Sequence, residues 1–158
     1  MAEQQHRADW RSRLVRNGFV PLLPLLVLNA VLVSRLPSAY ADDSQVPGWL
    51  LALETILRVL VFGLPLLVRL ALANPVNRVG LVLFVGGAVA YVASWVAAIS
   101  VAGAPEPLPP VVALAPYWLA AVFLAGIALM GEAWWYLVPV AAFGVVHTWH
   151  GVLSLSLG

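Results

Sequence analysis

Residues 48–70 read GWLLALETILRVLVFGLPLLVRL, an apolar run long enough to cross a bilayer. Near its middle stand Glu54 and Arg58. A charge in hydrocarbon costs at least a few kcal/mol, so such groups persist only where partners or a wet cavity receive them. The rest of the chain has to supply that reception. The two charges lie four residues apart with the acid first, the favourable geometry for an ion pair along one helix. A buried pair is weak evidence for stability, because apolar replacements are often neutral or better. Its place in mid-membrane therefore points to ligand or proton handling, with plain structural pairing as the alternative.

Composition extends the membrane reading to the whole chain. It is 63% hydrophobic and 9% charged over 158 residues, against about 25% charged in soluble domains. Little length remains for a soluble catalytic module. The net charge of +1 comes with no basic patch fit to grip a phosphate backbone, so nucleic acid is not an expected partner. With no cysteine, thiolate catalysis, disulfides and Cys-based metal sites are excluded. No G-x-S-x-G, P-loop or dinucleotide fingerprint occurs.

The expected fold is all-α: a polytopic membrane protein, a bundle of five transmembrane helices. Residues 1–17 form a polar, arginine-bearing arm in which Trp10, Leu14 and Asn17 share a helical face; the arm is either a solvated tail or a short helix on anionic headgroups. Residues 18–158 form the membrane domain, with spans at 18–36, 48–70, 79–102, 111–130 and 134–157. Gly63 and Pro65 should bend the second span. Residues 74–78 read as a turn by their Asn and Pro content. Gly86, Gly87, Ala90, Ala93 and Ala97 are small enough to permit close helix approach in the third span. A second reading of the N-terminal part exists: arginines, an apolar run and the string SAYA at 38–41 also fit a cleaved secretory signal.

Orientation follows from the arginines. Arg7, Arg11, Arg13, Arg16, Arg69 and Arg78 fall on one side, and only Arg35, with Asp42, Asp43 and Glu106, on the other. The positive-inside rule then makes the N-terminus cytoplasmic and the C-terminus external. The expected place is a bacterial or archaeal plasma membrane.

Helical spacing and depth gather the polar residues. Glu54 and His150 fall roughly 10 Å below the outer surface, and Arg58 and His147 about 15 Å, at ~1.5 Å rise per residue. Asn29, Tyr91, Ser94, Trp95, Tyr117 and Trp118 lie in the same layer, while the inner half is almost wholly aliphatic. These ten residues are the candidate ligand-binding set. In it Arg58 would receive an anionic group, Glu54 or a histidine a donor, and the aromatic rings an apolar body.

Three function classes stay open. The first is binding or transport of a small amphipathic ligand. The second is an accessory or anchor subunit of a larger membrane complex or homo-oligomer. The third is an intramembrane acid/base enzyme, such as an isomerase, with Glu54 and His150 as the proton-carrying pair. Membrane lipids are partners in every case. No cofactor is predicted, though the anchor reading allows a haem on His147 or His150; the H-x-W-x-G string at 147–151 is similar to histidine-bearing helices in membrane anchors of quinone-linked dehydrogenases. His147 and His150 are also metal candidates, but their i, i+3 spacing needs a further ligand, for which Glu54 has the right depth. In size, helix number and tryptophan content the chain is similar to the tryptophan-rich sensory (translocator) proteins, without their Trp- and Pro-containing motifs, and architecture alone implies no activity.

Overall fold

Proline placement decides where the helices begin and where one of them stops. The structure is a computed structural model that describes residues 16–37, 40, 42–101 and 108–155. The arm up to residue 15, the SAYA string apart from Tyr40, and most of the 103–110 turn with Glu106 lie outside the described residues. Among the described residues, five helices of ten residues or more follow one another: α1 (Leu23–Leu32), α2 (Gly48–Gly63), α3 (Pro75–Ser100), α4 (Ala115–Met130) and α5 (Leu137–Leu155). No strand occurs among the described residues, only an isolated antiparallel bridge between Asn17 and Arg69.

Residues 74–78 are not a turn. Pro75 occupies the first turn of α3, where its missing N–H costs nothing. Asn74 and Asn77 form a capping box in which each side chain accepts from the other's backbone N–H. The third helix therefore begins four residues before the expected span.

The second helix ends sooner than expected. At Leu64 it tightens into a 3-10 turn, Leu64–Leu67, and Val68 is extended. Pro65 has no N–H to give the carbonyl of Val61, four residues back. That carbonyl instead accepts from the hydroxyl of the fully buried Tyr136. The chain beyond is held by backbone bonds from Gly18 to Val68 (2.8 Å) and from Leu70 to Arg16 (2.7 Å). The fourth helix also starts late, after a separate turn at Pro110–Ala113.

Among the described residues, three helical stretches are long and apolar enough to cross a membrane: Gly48–Leu67, Pro75–Ser100 and Trp134–Leu155. Val20–Arg35 and Ala115–Met130 are apolar but shorter. The second of these is the centre of the bundle, buried on most of its faces by α3 and α5. In its seam with α3 the two backbones come into close approach. A Cβ on Gly126 would lie 2.5 Å from the backbone nitrogen of Phe84, and one on Gly80 2.6 Å from that of Met130. Of the small residues expected to permit close approach of the third helix, Gly87 is buried in this seam, Gly86, Ala90 and Ala93 face outward and Ala97 is half-buried.

The helices run up and down, which gives the bundle two ends. At one, Asn77 donates from its side chain to the carbonyls of Leu129 and Met130 at 3.1 and 3.2 Å, closing the open end of α4. Beside it Asn74 donates to Glu132 at 2.6 Å. At the other end, Tyr40 donates to the carbonyl of Ala113 at 3.1 Å. Here the loop after α1 folds over α4 and α5.

Candidate functional site

Glu54 faces inward from the second turn of α2 because Leu50, Leu57 and Val61 share its buried stripe. On α5 the residues His147 and His150 turn towards it, and edge-on packing of Trp49 against Trp149 and Phe62 against Phe143 aligns the two helices. The carboxylate of Glu54 is 2% exposed and holds three partners. Oε1 accepts from Arg58 and, at 2.9 Å, from Nδ1 of His147. Oε2 accepts from Nδ1 of His150. The other ring nitrogen of His150, Nε2, is 2.9 Å from Oδ1 of Asp43. Asp43 and Arg58 are about half exposed (51% and 53%), so the cluster runs from a buried core to two accessible ends.

Proton counting constrains this arrangement. A neutral imidazole carries one N–H and can serve one carboxylate. His150 lies between two. Either the ring is doubly protonated or one carboxyl carries the extra proton, so the Asp43–His150–Glu54 row holds one proton more than neutral imidazole and two carboxylates would.

A cavity of about 660 Å³ adjoins the cluster and takes walls from all five helices. Of the candidate ligand-binding residues, Asn29, Glu54, Arg58, Tyr91, Trp95, Tyr117, His147 and His150 line it. Asn29 and Tyr91 do so as a pair, with the tyrosine hydroxyl donating to Asn29 Oδ1 at 2.9 Å. Leu26, Leu51, Phe62 and Phe143 form its apolar wall. Tyr117 lies against α5, where a Cβ on Gly151 would come within 2.5 Å of its ring. Two candidates lie elsewhere. Ser94 is buried with its hydroxyl donating to the carbonyl of Tyr91 at 2.7 Å. Trp118 is 39% exposed on the outer face of α4, beside Trp149.

Three polar lining residues were not among the candidates: Tyr40, Asp43 and Thr55. The first two come from the loop between α1 and α2, which has no helical period by which to read a face. Tyr40 stacks on Tyr117 at 6.2 Å, with the rings 9° apart. Burial pushes the Tyr40 phenol up from its ordinary range, which keeps it a neutral donor to Ala113. Beside Asp43, hydrogen bonds from the side chain and backbone of Ser44 hold the Asp42 carboxyl below its usual range.

Glu54, His147 and His150 could also hold a metal ion: one ligand atom from each lies within 4.8 Å of the others. For a haem the fit is poorer, because both ring nitrogens of His150 are engaged and the ring of His147 stacks on Phe143 at 4.8 Å. No protein-family model matches the chain, and neither curated proteins nor solved structures compared with it give a match.

Proposed function

We propose that this chain is an integral membrane protein of five crossings that binds, or carries, a small amphipathic molecule with an anionic head. The observation that carries the reading is the cavity of about 660 Å³ with the Glu54–Arg58–His147–His150 cluster on one wall and apolar side chains on another. Ligand sites combine apolar walls with a few placed polar groups in this way. Arg58 gives one nitrogen to Glu54. Its remaining N–H groups have no partner among the described residues, and a guanidinium presents five donors in a fork that suits a carboxylate or phosphate. The apolar body would lie along Leu26, Phe62 and Phe143.

The five-crossing, N-in reading is supported by the charges at the two ends of the bundle. Arg16, Arg69 and Arg78 gather at the end that holds Asn77 and Glu132, while Asp42 and Asp43 mark the other. Exposed Trp134 and Trp135 at the first end and Trp49 at the second suit the two interfaces. The cavity then opens in the outer half of the bilayer. In this reading α1 and α4 cross as helices shorter than the hydrocarbon, extended by the 3-10 turns flanking α1 and the single turn before α4.

Native mass spectrometry of the detergent-purified protein tests the ligand. Wild type should retain a lipid-soluble anion that Arg58→Gln and Glu54→Gln lose while staying monodisperse and helical. Equal retention by both variants would end this reading.

A further inference from the structure

We propose that Glu54, His147 and His150 bind one divalent transition-metal ion of the zinc class, with Asp43 orienting one of the two histidines. The reading does not depend on the amphipathic ligand. It starts from the donor set: one carboxylate and two imidazoles from two different helices, with one ligand atom of each within 4.8 Å of the others. Two histidines and a glutamate form one of the three-ligand sets that hold zinc and leave a coordination position open. With no thiolate among the donors, imidazole nitrogen suits zinc, copper, nickel or iron, and not magnesium or calcium.

A second, independent observation comes from the far side of His150. Metal-ligating histidines nearly always donate their other N–H to a carboxylate or carbonyl, which fixes the tautomer and raises ligand basicity. His150 turns Nδ1 to the common centre and Nε2 to Asp43 at 2.9 Å, which is that pattern. A histidine serving only helix packing has no need of a second carboxylate supplied from a distant loop.

The proton count also closes. When a divalent ion enters, the extra proton of the Asp43–His150–Glu54 row leaves to solvent, and His150 presents Nδ1 as a lone pair while keeping Nε2–H on Asp43. His147 presents Nδ1 as a lone pair and carries its proton on Nε2 instead. Glu54 has a second oxygen for Arg58 when one oxygen takes the metal, so the guanidinium does not block the site. Glu54, His147 and His150 all line the cavity, so water or a ligand headgroup could reach an ion held by them.

The test uses full-length protein in detergent, stripped with a chelator and exposed to Zn2+ alone, with bound metal measured after desalting. Wild type should keep one zinc per chain. The His147→Ala/His150→Ala variant should keep none, and Arg58→Gln should bind as wild type although it loses the amphipathic ligand. Asp43→Asn should hold the same stoichiometry with affinity weakened roughly ten- to a hundredfold, the usual effect of removing an outer-shell partner. No uptake by wild type, or equal uptake by the double-histidine variant, overturns the site. Should the double variant fail to fold, the visible spectrum of Co2+-loaded wild type decides. Intense bands of a four-coordinate, nitrogen-ligated ion support the site, and the weak spectrum of hydrated Co2+ overturns it.

Discussion

The seam between α3 and α4 and the cavity beside α2 and α5 are built from opposite materials. In the seam, Gly80 and Gly126 bring two backbones together so closely that neither position has room for a methyl group. Across the seam Asn77 closes the carbonyls of Leu129 and Met130. At the cavity the helices stand apart, and side chains with charge, donors and aromatic faces fill only part of the space. In a membrane, packing of small residues holds helices together without a hydrophobic driving force. The difference teaches that the α3–α4 pair can serve as a rigid frame, while the α2–α5 side holds polar groups that the frame does not need.

The sharpest way to break that comparison is Gly126→Val, which puts a branched side chain where even a Cβ would meet Phe84 backbone at 2.5 Å. Forced separation of the pair should cost about 3 kcal/mol or more, read as a large drop in the detergent melting temperature. Gly86→Ala on the partner helix α3 meets nothing within 4 Å and should change stability by no more than ~0.5 kcal/mol. Equal effects would deny the seam its role.

Next in size is Tyr136→Phe, which leaves the carbonyl opposite Pro65 without its donor. A buried acceptor left unsatisfied costs about 1–3 kcal/mol, and a melt unchanged from wild type would mean that the Val61 carbonyl finds another partner. Tyr40→Phe removes a half-buried bond to Ala113 but keeps the stacked ring, so about 1 kcal/mol or less is expected from thermal unfolding.

The smallest stability effect belongs to the charged cluster. Replacing both members of a buried ion pair with apolar residues is often neutral or stabilising. Glu54→Leu/Arg58→Leu should therefore melt within about 1 kcal/mol of wild type while losing ligand retention. A large loss of stability would make the pair part of the frame and erase the contrast between the two regions.

Much of the helical pattern was legible because apolar runs and breakers are local properties. The bend expected from Gly63 and Pro65 is present as a change of helix type. The turn expected at 74–78 failed because Asn-Pro signals a turn and a helix start alike; what decides is whether Asn77 reaches back to cap Asn74. Within the site, depth along each helix brought Glu54 to His147 and His150, but facing was harder to read. Ser94 spends its hydroxyl on a carbonyl of its own helix. Trp118, one residue and about 100° from Tyr117, turns outward.

By itself the amino-acid order determined that this chain is helical and apolar enough for a membrane, and that Glu54 and Arg58 stand in the middle of its second apolar run. Those are properties of consecutive residues: hydropathy, proline positions and a rise of about 1.5 Å per residue. Only the tertiary structure decided that Asp43 and Tyr40 close over the cavity and that Gly80 and Gly126 make its frame. Each of these depends on a partner distant in sequence, and neither a loop without period nor a glycine carries any mark of which residue it will meet.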